Sequence, residues 1–151
     1  MTKHALLASI AVTAALAAAD APPATYRTEA ELTASLAAGA ATPDMQTSEV
    51  QNTERHRINM VRRTRPAGAV AHEGFAELHH IVEGSGTLVT GGTIVRSTGP
   101  GQAGGGATIR NGVTRHVAKG DVILIPPGMP HWYQALDGAS ISYLEVRWEE
   151  K

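Results

Sequence analysis

The sequence predicts an all-β domain, a sandwich or barrel, and two observations predict it. From Arg55 onward the chain is a succession of short apolar runs of four to seven residues, each cut by Gly, Pro or Asp. The runs recur every eight to twelve residues with turn chemistry between them, which is the pattern of strands in antiparallel sheets. At 151 residues the chain has room for one ordinary domain.

Taken in chain order, residues 1–19 read as a signal peptide: a short basic start at Met1–His4, an uninterrupted small and apolar run from Ala5 to Ala19, and Asp20 to end it. Ala17, Ala18 and Ala19 put small residues where a signal peptidase reads, so cleavage is expected before Asp20. The run is shorter than the roughly 20 apolar residues of a membrane span. Residues 20–151 are therefore expected to be exported, periplasmic or secreted, with no membrane attachment after cleavage. The absence of Cys excludes disulfides, a lipidated cysteine and a cysteine nucleophile.

Residues 20–54 read as a linker with one short helix. Asp20 to Thr25 is rich in Ala and Pro. In TEAELTASLAAG, Thr28 and Glu31 have capping-box spacing and Gly39 stands where a helix would stop. Residues 40–53, polar and punctuated by Pro43, read as a connection.

Residues 55–151 are the expected barrel, with runs at 58–63, 69–72, 77–82, 87–90, 93–96, 107–110, 114–117, 122–125, 131–135 and 141–148. Gly91–Gly92 and Asn111–Gly112 are expected to be two-residue hairpin turns. Gly99, Gly101 and Gly104 have the spacing of a dinucleotide loop, but Pro100 interrupts it and a β-like run follows where the phosphate-binding helix should begin. A loop over the barrel mouth, available as a lid, is the better reading. The formal net charge of −1 gives no footprint for nucleic acid or a membrane surface. Arg55, Arg57, Arg62, Arg63 and Arg65, with Glu54, Ile58, Met60 and Val61 among them, read as a solvated strand face.

The most informative stretch is GDVILIPPGMPHWYQ, residues 120–134. Proline cannot donate to a sheet ladder, so Pro126 to Pro130 force a reversal at the sheet's end and hold His131 at a rigid position. Strand alternation puts His131 and Tyr133 on one side and Trp132 on the other.

Gly120, Pro126, Gly128 and His131 fit GxxxxxPxGxxH, and in this the chain resembles the cupin superfamily at every fixed position of its second motif. His72, Glu77 and Gly84 match the second half of the family's first motif, while Val70 and Thr64 replace its first histidine and first glycine. The resemblance spans residues 55–148 and implies a double-stranded β-helix, the jelly-roll cupin barrel. It further implies a mononuclear divalent metal (Fe, Mn, Ni or Zn) and a dioxygenase, isomerase or lyase type of activity on a small molecule, in a chain that forms homodimers.

The residues agree with that resemblance. His72 and Glu77 are an odd number apart, so one straight strand would face them oppositely, and a turn at Glu73–Gly74 can bring both inward. Two imidazoles and a carboxylate, His72, His131 and Glu77, suit a first-row metal with open positions. Val70 would share a strand face with His72, and His79, in phase with Glu77, is the candidate to replace the missing histidine as ligand or base. Tyr133 is the other candidate to touch substrate, against an ordinary place in the core with Trp132 and Tyr143. His80, His56 and His116 read as packing or surface residues. The late strand SISYLEVRW, through Ile141, Tyr143, Val146 and Trp148, is a candidate dimer interface. A binding module that holds a small molecule or metal without turnover is the alternative to an enzyme.

Overall fold

The computed structural model describes residues 24–96 and 106–150. The expected signal peptide and the loop of Gly99, Gly101 and Gly104 lie outside the described residues. Thr28 caps helix α1 (Glu29–Ala38) through the full capping box with Glu31, and Gly39 ends it. One residue of the helix, Leu36, is buried, where α1 lies against β2 (Met45–Asn52) and β3 (His56–Arg63). Ser35 of the helix hydrogen-bonds Ser48 of β2.

The remaining strands are β1 (Ala40–Thr42), β4 (Phe75–Glu83), β5 (Ser85–Thr90), β6 (Thr93–Arg96), β7 (Ala107–Arg110), β8 (Val113–Ala118), β9 (Val122–Ile125), β10 (His131–Leu136) and β11 (Ile141–Glu149). They form a six-stranded sheet in the order β1-β2-β3-β11-β4-β9, a three-stranded sheet β10-β5-β8 and a two-stranded ribbon β6-β7. Every pairing is antiparallel. The core lies between the two larger sheets: Val61, Ile81, Ile141 and Tyr143 meet Leu88, Val117 and Tyr133. This is the all-β jelly roll that the apolar spacing and the cupin resemblance imply.

The structure corrects the sequence reading at five places. Residues 40–53 are not a connection: they form β1 and β2, and β2 pairs with β3 along its whole length. The run at 69–72 is not a strand; Val70 makes an isolated bridge to His131, and Ala69 N–H donates to the Ala107 carbonyl of β7 at 2.8 Å. Gly91–Gly92 and Asn111–Gly112 do not close hairpins, because β5 pairs with β8 and β6 with β7. The register runs unbroken from Thr90–Val113 to Thr93–Arg110, so the two turns are opposed kinks that bend one long ribbon between sheets. Positive φ at Gly91, Gly92 and Asn111 makes the bend, and a Cβ on Gly92 would collide with the Arg110 carbonyl.

The fourth correction concerns the arginine-rich strand. Asn59, Val61 and Arg63 of β3 face inward, and Arg63 donates to the Tyr143 hydroxyl at 3.0 Å instead of facing solvent. Burial would lower the Arg63 pKa, but the neighbouring Tyr143, Tyr133 and Asp44 hold it above its ordinary value. Fifth, β11 offers no free edge: it pairs with β3 on one side and β4 on the other, and Ile141 and Tyr143 are core. Of the four named residues, Val146 and Trp148 lie on its outer face, in register with Ile58 and His56.

Candidate metal centre

Each of the three candidate ligands, Glu77, His72 and His131, is delivered by a different device. Glu77 is on β4, in register with Ile125 of β9 and Arg147 of β11, so its side chain enters the barrel and is 1 % exposed. His72 sits in the loop before β4, and the Glu73–Gly74 turn, with Gly74 at φ +73°, lets it face inward beside Glu77. His131 opens β10 immediately after the proline turn. The two loops are tied together, since Gly128 N–H donates to the His72 carbonyl at 3.0 Å and Val70 and His131 exchange both backbone hydrogen bonds.

Hydrogen bonding fixes the imidazoles. His131 Nδ1 lies 3.1 Å from the Met129 carbonyl, which can only accept, so Nδ1 carries the proton and Nε2 presents its lone pair toward Glu77 Oε2 at 3.8 Å. His72 Nε2 lies 3.1 Å from the Arg147 guanidinium, which can only donate, so this nitrogen too is unprotonated. It faces Glu77 Oε1 at 3.5 Å. Burial lowers the pKa of His72, and lowers that of His131 to about 4, so both rings are neutral at neutral pH. Burial alone would raise Glu77, but the His79 hydrogen bond and the charges of His131, Arg147 and His72 outweigh it and hold the carboxyl at about 2.

These residues fit a divalent metal. Ligating atoms of His72, Glu77 and His131 lie within 4.8 Å of one another. Glu77 Oε1, buried and ionised, has no hydrogen-bond partner, which is costly for a carboxylate unless a cation meets it. Nitrogen and carboxylate donors of this kind suit Fe, Mn, Ni or Zn.

His79 falls into a second, deeper grouping with Glu77 and Glu145, apart from His72 and His131. Its Nε2 is 3.2 Å from Glu77 Oε2 and its Nδ1 is 3.1 Å from the Tyr133 hydroxyl. The carboxylate can only accept, so Nε2–H donates to Glu77 and the Tyr133 O–H donates to Nδ1. Tyr133 is itself a core residue, stacked with Tyr143, and burial raises both phenols, Tyr143 to about 12. Val70, where the motif would place a histidine, is 37 % exposed and touches His131 through its backbone. His80 and His116 are exposed, the latter hydrogen-bonded to Asp137, and His56 bonds Thr53. The Trp132 indole donates to the Ala67 carbonyl.

Sequence reasoning missed the residues that β11 contributes. Glu145 accepts from Asn59 at 3.2 Å, and Arg147 lies 3.4 Å from Glu77 Oε2 and 3.5 Å from Glu145 Oε2. The signal was present in the alternation of Tyr143, Glu145 and Arg147 with Leu144, Val146 and Trp148. Charged alternate positions ordinarily mean a solvent face; here they face a cavity of about 290 Å³ lined by Arg57, Arg63, His72, His131, Glu145 and Arg147.

Comparison with protein families matches residues 68–149 to the AraC-like ligand binding domain. The chain belongs to that family. This AraC-like domain has no match among curated proteins. Among solved structures it is similar to a candidate mannose-6-phosphate isomerase from Ralstonia eutropha JMP134, with 15 % identity, a TM-score of 0.55, and coverage of 82 % of this chain and 100 % of that one. It is also similar to the Fe(II) form of HppE, with 13 % identity, a TM-score of 0.51, and coverage of 70 % of this chain and 50 % of that one. The vicilin of Solanum melongena gives 14 % identity and a TM-score of 0.54, over 74 % of this chain and 30 % of that one. These likenesses establish the fold of the AraC-like domain as a cupin-type barrel.

Proposed function

We propose that the protein is an exported, metal-binding cupin in which His72, Glu77 and His131 hold one divalent ion (Fe, Mn, Ni or Zn) and the barrel cavity takes a small organic molecule. The observation that carries this reading is the aim of the donors: two Nε2 lone pairs, both set by hydrogen bonding, face the buried Glu77 carboxylate, His131 toward Oε2 and His72 toward Oε1, the oxygen that has no hydrogen-bond partner. When bound, the metal would supply Lewis acidity toward an oxygen-bearing ligand or a site for O2 chemistry, the basis of a dioxygenase, isomerase or lyase. The chain's own part is to bind and orient. His79 holds Glu77 through Nε2–H, and Tyr133 fixes the His79 tautomer that makes this possible. In this role His79 positions a ligand from behind instead of replacing the histidine absent at Val70.

The similar HppE is an Fe(II) form, and the similar vicilin holds anionic ligands in its pockets, which makes both kinds of occupant reasonable for this cavity. The family match and Val70 favour a second reading, a ligand-binding module that retains the metal without turnover. The signal-peptide pattern at residues 1–19 supports export to the periplasm or beyond. Exposed Val122 and Leu124 on the outer sheet face support a homodimer. Metal content by mass spectrometry decides the central point. Near-stoichiometric metal in the purified chain, lost in Glu77→Ala, is the expected result, and a chain that cannot be loaded with any of the four ions overturns it. Bound metal with open, exchangeable water positions favours the enzyme over the binding module.

A further inference from the structure

Arg147 stands where the proposed metal centre meets the cavity, and its partners are unusual for an arginine. Its Nη2 donates to the His72 Nε2 lone pair at 3.1 Å, the same lone pair that a metal would need. One lone pair cannot serve both. The same Nη2 lies 3.4 Å from Glu77 Oε2 and 3.5 Å from Glu145 Oε2, while the buried Nε–H has no acceptor, so one edge of the guanidinium is unsatisfied where it lies. Directly across β3, in register on the same inward face, is Arg57. Like charges opposite one another on a sheet are destabilising, and Arg57 takes part in none of the ion pairs among the described residues. Arg63 lines the same cavity, whose other charged liner is Glu145. The cavity wall thus carries more positive than negative charge, and a metal on His72, Glu77 and His131 would add to the excess.

We propose that the cavity takes a small organic carboxylate between Arg57 and Arg147, and that Arg147 becomes free to bind it by releasing His72 when the metal arrives. This rests on the metal reading above and adds to it the ligand class and a coupling. The guanidinium fork matches a carboxylate with two parallel N–H donors, and a volume of about 290 Å³ suits a small molecule and not a polymer. His72 and Arg147 also line a second groove of about 360 Å³ with Asn52 to Arg57 and Phe75, so moving Arg147 opens the cavity toward the surface. Because metal and carboxylate each favour the released Arg147, each must tighten the other by the same factor.

Calorimetric titration of the purified chain with Zn2+, malonate and the neutral malonamide tests this. Saturating malonate should tighten zinc binding by roughly tenfold in the unmodified chain, and saturating zinc should tighten malonate equally; malonamide should do neither. Arg147→Met, checked for folding by circular dichroism, should bind zinc more tightly than the parent and lose the malonate effect. Arg57→Gln, at an exposed side chain, should weaken malonate and shrink the effect of malonate on zinc affinity. Equal zinc affinity with and without malonate in the unmodified chain overturns the coupling while the metal reading stands. Inorganic phosphate that tightens zinc as strongly as malonate overturns the carboxylate class. Failure of the unmodified chain to bind zinc, and equally Fe, Mn and Ni, overturns the metal reading and this inference with it.

Discussion

Between about pH 4 and 6.5 the native chain keeps His131 neutral, whereas an unfolded chain protonates it. The unfolded state then binds more protons, so stability rises with pH through this window and falls as pH is lowered through it. A shift of this size corresponds to about 3 kcal/mol. Glu77, with a pKa lowered from 4.5 to about 2, extends the loss: its contribution is complete above pH 4.5 and disappears as pH falls toward 2. Urea denaturation of the metal-free chain should therefore show declining stability from pH 7 to pH 4, and His131→Gln should flatten that segment. An unchanged slope in the variant would place the titration elsewhere. Tyr133→Phe probes the next contact back. It keeps the stacked ring but removes the donor to His79 Nδ1, leaving a buried nitrogen unpaired at a cost of about 1–3 kcal/mol. Thermal denaturation should show that loss, and zinc titration should show weaker binding, by about tenfold or more, because the tautomer that steadies Glu77 is no longer fixed.

Among the elements, the kinked ribbon makes the sharpest prediction. Gly92 combines φ +71° with contacts from the Arg110 carbonyl and, at 2.6 Å from where a Cβ would stand, the Gly112 nitrogen. Gly92→Ala should destabilise by about 1–3 kcal/mol, whereas Asn111→Gly, at φ 60°, should be neutral or slightly stabilising in the same thermal assay. The two pairs of turn residues were legible as turns, and the helix was legible from Thr28 to Gly39 because capping chemistry is local. Which strands the turns would join was not legible, since a positive-φ pair bends a paired ribbon as readily as it closes a hairpin. β2 was illegible for another reason. MQTSEVQN is polar on both faces: Ser48, on the outer one, is met by a helix serine, and Thr47, on the inner one, lines the polar cavity with Asn59, Glu145 and Arg147. Polarity that satisfies other buried polarity looks, in sequence, like a solvated connection. The same inversion hid Glu145 and Arg147, whereas His72, Glu77 and His131 were visible through the resemblance to the two cupin motifs, with the proline turn before His131 and the Glu73–Gly74 turn agreeing with it.

For the whole molecule, the position of β2 bears on where the folding unit begins. A barrel starting at residue 55 keeps all of His72, Glu77, His131, His79 and Arg147. It loses Met45, which packs on the core, and Asp44, which pairs with Arg63 at 3.8 Å. Arg63 in turn holds the hydroxyl of Tyr143, whose ring stacks on His79 and Tyr133. Removal also bares the long edge of β3, from its partner at Met45–Arg63 to that at Asn52–Arg57, and an unprotected edge of that length invites pairing with another chain. Residues 55–151 expressed alone should therefore aggregate or melt at least about 10 °C lower than residues 20–151. Whatever soluble fraction remains should bind zinc more weakly although no ligand has been removed. Size-exclusion chromatography, thermal melts and zinc titration of the two chains test this together. A soluble, equally stable 55–151 chain with unchanged zinc affinity would mean that β2 merely decorates the sheet. Weak zinc binding in a well-folded fragment would mean instead that the N-terminal strand holds the wall against which the metal centre is built.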